Sequence, residues 1–170
     1  MPLSEFYRKD ECAKRNTEMK AVIITALVFM VTTIILGGIL DLVQEKVNAP
    51  HYETGRMLFK KPSSDFPLVL VIISFIASYV IVFLYSKALP QLPQNIYLRG
   101  ILVGAFLFLI GDLLKDCIVY YKIAIPGAIT LGQIIVDLLN RLGSGLVLVY
   151  TYRRVSRDEK KEQRTVDSKQ

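Results

Sequence analysis

The sequence predicts an all-α protein, a membrane-embedded four-helix bundle with both chain termini in the cytoplasm. Three observations support this prediction. Apolar residues make up 52% of the 170 residues. They are concentrated in segments long enough to cross a hydrocarbon core about 30 Å thick. The Lys and Arg residues lie mainly on one side of those segments, as they do at the cytoplasmic face of membrane proteins.

The predicted membrane domain covers residues 20–152 and contains four spans. The first two have uncharged cores, since Ala21–Leu40 and Phe66–Ser86 contain no Asp, Glu, Lys or Arg. The third and fourth carry charges on restricted faces and are otherwise apolar. A cytoplasmic leader, residues 1–19, precedes the spans, and a charged cytoplasmic tail, residues 153–170, follows them. The expected spans are residues 20–44, 66–87, 98–121 and 126–152.

The orientation follows from the positive charges. Fourteen Lys and Arg residues lie in or beside the leader, the tail and the link between the second and third spans, against five on the opposite side. The net charge of +6 therefore mainly reflects the orientation of the protein in the membrane. Acidic residues are interspersed in the basic tail, which favours a solvated tail over one that binds nucleic acid. We expect an integral protein of the cell membrane, in the inner membrane of a prokaryote, with the lipid bilayer as its main partner.

The connections between the spans differ in length. The outer loop, residues 45–65, is the only sizeable outer segment, and the sequence leaves its role open. Asn95 follows a proline-rich link and is a good residue to cap the third helix. The outer turn at residues 121–127 is short, so we expect the third and fourth helices to be antiparallel neighbours.

The fourth helix carries seven polar residues on one face. In an α-helix they share an arc of roughly 100°, while the remaining surface is apolar. A membrane helix of this kind is expected to turn its polar stripe inward. The residues of this polar stripe are Thr130, Gln133, Asp137, Asn140, Arg141, Ser144 and Thr151.

Charged residues of the third and fourth helices are expected to meet. Counted back from the outer turn, Asp112 and Asp137 lie at similar depths of roughly 15 Å. Side chains lean toward the N-terminus of their helix, so Arg141 should lean toward both aspartates and Lys115 toward Asp112. With Asp116, this gives three carboxylates and two cations, which predicts one cluster rather than scattered charges.

This cluster is the candidate site. Pairing should neutralise most of the charges, and the surplus carboxylate is a candidate to bind a proton. Gly100 and Gly104 permit close contact between helices, which is a packing role. The alternative is that the charged pairs only fix the packing of the helices. The candidate residues for binding a ligand or proton are Asp112, Lys115, Asp116, Asp137, Asn140, Arg141, Gln133 and Asp41.

Catalytic and metal-binding residues are not predicted. The chain has a single histidine, His51, and no cluster of Cys and His, so a zinc site made by the protein alone is not expected. No cofactor is expected, and the enzyme class is left open, with a non-enzymatic role favoured.

Short motifs in the last two spans resemble a known group of proteins. They are Arg99-Gly100-Ile-Leu-Val-Gly104, Gly111-Asp112, Ile125-Pro126 and Ile135-Val136-Asp137. They resemble the paired final helices of small, uncharacterised prokaryotic four-span membrane proteins, classed as domains of unknown function. This resemblance implies an architecture and no particular activity.

Two other fragments, Ile39-Leu40-Asp41-Leu42 and Asp137-Leu-Leu-Asn140-Arg141, are similar to parts of prolipoprotein signal peptidase, a four-span enzyme with two catalytic aspartates. The Asn-xxx-Asp that this family carries ahead of its last helix is missing here. The resemblance implies an intramembrane aspartyl hydrolase, in which Asp112 and Asp137 would be the base and the acid.

Three functions remain open at this point. The leading hypothesis is the binding or translocation of a small polar or cationic solute through an acidic intramembrane pocket that opens outward. The second is a non-catalytic accessory or assembly subunit of a membrane complex, whose polar stripe holds a partner helix. The third is the aspartyl hydrolase. Four helices are few for a transporter, so a homodimer or another membrane-protein partner is also considered.

Overall fold

The computed structural model describes residues 3–47, 66–122 and 127–167, which are almost entirely helical. In this part of the chain there are four helices: α1 (Leu3–Val47), α2 (Phe66–Ala88), α3 (residues 96–122) and α4 (Gly127–Asp167). Helix α3 has three parts, an α-helical part Ile96–Leu107, a π-helical turn Phe108–Asp112, and a second α-helical part Leu113–Lys122. Most of the predicted outer loop, from residue 48 onward, lies outside the described residues.

Three of the described helices are long and apolar enough to cross a membrane, which indicates a membrane protein. The segments are Glu18–Val47, Val71–Gln91 and Ile129–Glu159. They correspond to the first, second and fourth expected spans. The third expected span lies in α3, which is not among them, because the π-helical turn divides α3 into α-helical parts of 12 and 10 residues.

Helices α2 and α3 are joined by a short turn. A 3₁₀-helix, Leu89–Gln91, follows α2 directly. The side chain of Asn95 then accepts hydrogen bonds from the backbone N–H groups of Tyr97 and Leu98, at 2.9 and 3.3 Å. These bonds satisfy N–H groups that have no partner within the helix, so the predicted N-cap of α3 is confirmed.

The helices pack in the order α2, α1, α4, α3. Helix α4 packs along both α1 and α3, and α2 packs mainly along α1. We call the end where α1 and α3 stop at Val47 and Lys122 the loop end, and the opposite end the terminal end. Because α4 lies between two neighbours, its side chains take part in most of the contacts between helices.

The apolar core lies toward the terminal end. There the rings of Tyr85 and Tyr152 meet edge to face, with centroids 5.4 Å apart. The buried carboxylates of Asp112 and Asp116, and the buried hydroxyl group of Thr130, lie instead toward the loop end. The two halves of the molecule therefore differ in polarity. The core residues are Ala21, Val22, Ala26, Phe29, Val82, Tyr85, Leu148, Val149 and Tyr152.

Glycines bring the backbones of α3 and α4 together. A Cβ on Gly104 would lie 2.8 Å from the Cα of Leu142, and one on Gly100 would lie 2.9 Å from the Cα of Leu146. On the other side, a Cβ on Gly145 would lie 2.9 Å from the Cα of Gly104. Only residues without a side chain fit at this crossing, so the predicted packing role of Gly100 and Gly104 is confirmed.

Candidate functional site

The polar stripe of α4 is turned toward the neighbouring helices. None of its seven residues is exposed, and Ser144 is completely buried. The opposite face of the same helix is apolar and open, with Leu131, Ile135 and Leu139 exposed by 60%, 50% and 50%. The inward direction expected from the spacing is thus found in the structure.

Asp112 and Arg141 form a two-pronged ion pair between α3 and α4. The Nε of Arg141 donates to Oδ2 of Asp112, and its Nη2 donates to Oδ1 at 3.0 Å. The side chains are only 10% and 24% exposed. A planar guanidinium that meets both oxygens of one carboxylate is the most specific of the protein ion pairs, so this pair ties the two helices together.

Lys115 is shared among three carboxylates. Its Nζ donates to Oδ2 of Asp137 at 2.7 Å and lies 3.4 Å from Oδ1 of Asp116 and 4.0 Å from Oδ1 of Asp112. The Lys115 side chain is 52% exposed, whereas those of Asp116 and Asp137 are 4% and 14% exposed. The ammonium therefore reaches a largely buried acidic group from the exposed side.

The pairing agrees with the expectation for Asp112 and adds one contact. Arg141 pairs with Asp112, and the Nζ of Lys115 lies 4.0 Å from Oδ1 of Asp112, but the shortest contact of Lys115 is with Oδ2 of Asp137. A π-helical turn at Phe108–Asp112 precedes Lys115 on α3. Its hydrogen bonds run from residue i to i+5, here from the N–H of Leu113 to the carbonyl of Phe108, so the helix beyond it is rotated relative to a regular α-helix.

Gln133 and Asp41 extend the cluster toward α1. The Nε2 of Gln133 donates to Oδ1 of Asp137 at 3.2 Å, one turn away on the same helix. The side chain of Gln133 also interacts with Asp41, an exposed carboxylate of α1. Asp41 is repelled by the charge of Asp137 and attracted by that of Lys115. Asp41 thus lies at the edge of the group and adds a fourth carboxylate to it.

Asn140 belongs to a separate polar contact. The hydroxyl of Ser144 donates to its Oδ1 at 3.2 Å, and its Nδ2 lies 3.5 Å from the carbonyl of Thr33 on α1. The Thr33 hydroxyl in turn lies 3.2 Å from the hydroxyl of Ser144. Of the eight candidate residues, Asn140 is therefore the one that the structure places in a contact between α1 and α4 rather than among the charges.

Several buried oxygens on this side of the molecule have no hydrogen-bond partner. They are Oδ2 of Asp116, Oγ1 of Thr130 and Oε1 of Gln44. Gln44 is only 4% exposed, and its Nε2 donates to the carbonyl of Ile129, the residue before Thr130. Buried polar atoms are rarely left unpaired, so these acceptors call for a proton, a water molecule or a bound solute.

The charges of the cluster do not balance. At its centre, Asp112, Asp116 and Asp137 carry three negative charges, against two positive charges on Lys115 and Arg141, and Asp41 adds a further negative charge at the edge. Among the residues that the structure describes, no group of three or more His, Cys, Asp or Glu side chains is placed to hold a metal ion. The carboxylates instead surround an ammonium group, so the site is suited to a proton or to a small cation.

Gln44 and Thr33 contact this side of α4 but are not among the eight candidate residues, and the π-helical turn was not expected. Gln44 and Thr33 lie eleven residues apart, three helical turns, on the face of α1 that meets α4. That spacing can be read from the sequence, and it indicates that the two residues share one face of the helix. The π-helical turn has no such signal, because Phe108–Asp112 reads as an ordinary apolar helix that ends in one aspartate.

Comparisons with family models, curated proteins and solved structures find no match to this chain. The resemblances to small four-span proteins of unknown function and to prolipoprotein signal peptidase thus stay expectations.

Proposed function

We propose that this chain is a four-helix membrane bundle that binds or translocates a small polar or cationic solute through an acidic pocket near its loop end. The proposed location is the inner membrane of a prokaryote, with both termini in the cytoplasm and the loop end outside. Exposed apolar side chains on every helix support the membrane setting, among them Ile35 on α1, Leu84 on α2, Phe106 on α3 and Leu131 on α4, each more than half exposed.

One observation carries the proposal. Three carboxylates, each at most 14% exposed, have only two cationic partners, Arg141 and the half-exposed Lys115, and one of their oxygens, Oδ2 of Asp116, is buried without a partner. Uncompensated negative charge inside a membrane is costly. The group therefore favours a proton or a cation that arrives from outside.

The aspartyl hydrolase is supported less well. In such an enzyme, one aspartate must activate water and the other must donate a proton. Both oxygens of Asp112 are bound by Arg141, and those of Asp137 are bound by Lys115 and Gln133. Neither carboxylate is free for catalysis in this conformation.

An accessory subunit that uses its polar stripe to hold a partner helix is also supported less well. The stripe already contacts helices of its own chain, since Ser144 and Asn140 face Thr33 on α1, while Arg141 pairs with Asp112 on α3. A homodimer or another membrane partner would therefore use the exposed apolar faces instead, and the charged cluster would remain available to a solute.

The proposal is tested with the purified protein in liposomes. Small cationic and zwitterionic solutes are screened for uptake and for charge movement on a solid-supported membrane. We expect a response in the wild-type protein that is lost in Asp137→Asn and Asp112→Asn, because each change removes a charge of the acidic group. The matched control is Asp158→Asn, which alters an exposed aspartate of the same helix outside the cluster.

The proposal fails if both cluster variants respond to every solute as the wild-type protein does. A response that is lost equally in Asp158→Asn would also count against it, because the effect would then be general. Size-exclusion profiles of all variants show whether a loss of response reflects misfolding.

A further inference from the structure

We propose that the Lys115 ammonium occupies the binding position of a primary alkylammonium solute, which binds by displacing it. This inference rests on the proposed function, because it names the class of solute that the acidic pocket takes. Lys115 is then a tethered counter-ion that offsets part of the negative charge of the empty pocket.

The contacts of Lys115 define the position. Oxygens of Asp137, Asp116 and Asp112 lie 2.7, 3.4 and 4.0 Å from its Nζ. An ammonium group has three N–H donors, and here three carboxylates surround it. A free alkylammonium carries the same head group, so it can make the same contacts without any rearrangement of the carboxylates.

Only one of the two cations can be exchanged readily. Arg141 is 24% exposed and donates two hydrogen bonds to one carboxylate, so its removal would break a two-pronged pair. Lys115 is 52% exposed, and its flexible stem can carry the ammonium outward. In the proposed site, a solute would approach the carboxylates from the exposed side of Lys115.

The pocket offers more acceptors than Lys115 satisfies. Oδ2 of Asp116 is buried and unpartnered, although the other oxygen of that carboxylate lies 3.4 Å from the ammonium. Lys115 is the residue next to Asp116 on the same helix, so its reach around that carboxylate is limited by the shared backbone. A free solute has no such tether. The unpaired oxygen is thus an acceptor that Lys115 leaves open and that a free ammonium group can use.

The geometry favours an ammonium over other cations. Three carboxylates gathered around one nitrogen suit a compact point charge, whereas a guanidinium prefers two parallel bonds to one carboxylate, as Arg141 makes with Asp112. A divalent metal would need the carboxylates themselves to converge, and the described residues include no group of acidic side chains placed to hold one.

The test uses Lys115→Met, which removes the charge and keeps an unbranched side chain. Binding of radiolabelled methylammonium to the purified full-length protein is compared with that of the wild type. We expect binding about tenfold tighter, because a tethered competitor that fills the site in nine of ten molecules raises the apparent Kd about tenfold. Asp137→Asn added to Lys115→Met should abolish this gain. The control is Lys87→Met, which alters a lysine that lies over the ring of Phe83, away from the cluster.

A second variant covers the case in which Lys115→Met does not fold. In Lys115→Ala, free n-butylammonium can replace the missing stem and charge together, and it should raise the thermal unfolding temperature of this variant more than that of the wild type at the same concentration. The inference is wrong if Lys115→Met binds methylammonium no more tightly than Lys87→Met does. It is equally wrong if no amine stabilises Lys115→Ala.

The two proposals can fail separately. If alkylammonium ions bind as expected but no solute crosses the liposome membrane, the inference holds and translocation is refuted. If another solute is taken up through Asp137 and alkylammonium ions neither bind nor compete with it, the proposed function holds and the inference is refuted.

Discussion

Replacing Arg141 with methionine tests how much the buried ion pair between α3 and α4 contributes to stability. The change leaves the Asp112 carboxylate only 10% exposed and without its two-pronged partner. Removing one member of a buried pair costs about 3–5 kcal/mol. Lys115 lies 4.0 Å from Oδ1 of Asp112 and can replace part of the lost charge. We therefore expect a loss near the lower limit, about 3 kcal/mol.

Removing both charges should cost much less. In the double variant Asp112→Leu with Arg141→Met, no buried charge is left unpaired, and its stability should lie within about 1 kcal/mol of that of the wild-type protein. The four proteins form a double-mutant cycle, so the coupling energy of the pair is obtained directly. Unfolding is followed in detergent micelles by titration with sodium dodecyl sulfate, with helix content read by circular dichroism.

The control is Arg153→Met, which removes an exposed arginine of the same helix and should change stability by less than about 0.5 kcal/mol. The reasoning is refuted if Arg141→Met is no less stable than this control. It is also refuted if the double variant is as unstable as Arg141→Met, because the loss would then come from packing rather than from an unpaired carboxylate.

Three further predictions concern packing and capping, and the same unfolding measurement checks each. Gly104→Ala should destabilise the protein by about 1–3 kcal/mol because its Cβ would meet the backbone of α4. The control Gly38→Ala, with open space around it, should be neutral or stabilising, and equal effects of the two changes would disprove the close crossing. Asn95→Ala should cost about 1 kcal/mol through the lost N-cap, and no loss would mean that the cap is not needed. Phe29→Ala should cost about 3–5 kcal/mol from a core position that is 1% exposed, and a smaller loss than in Val28→Ala on the exposed face would contradict the assigned core.

The helices and the inward stripe of α4 could be predicted because both depend on patterns that repeat along one helix. Ala21–Leu40 is apolar enough to be recognised alone, and the shared face of Thr130 and Ser144 follows from 3.6 residues per turn. These features need no knowledge of neighbouring helices.

The partners within the cluster could be predicted only in part. Matching depths placed Asp112 near Asp137, and both are in the cluster. The choice between Lys115 and Arg141 as partner of each aspartate depends on rotation about the axis of α3, which the π-helical turn changes. A π-helical turn depends on packing against neighbouring helices, so the local sequence does not reveal it.

The close contact of α3 and α4 at the glycines also provides a fixed point about which the crossing angle of the two helices can change. The crossing at Gly104 lies eight residues from Asp112, or roughly 12 Å along the helix. If the crossing angle of the two helices changes by about 10° at Gly104, the helix axes move apart by about 2 Å at the level of the cluster. The backbone at Gly104 would barely move, yet the hydrogen bond of 2.7 Å between Lys115 and Asp137 would be broken. Such a motion would separate the ammonium from Asp137 alone, because Asp112 and Asp116 lie on the same helix as Lys115 and move with it. It is opposed by the two-pronged pair of Arg141 with Asp112, which joins the two helices.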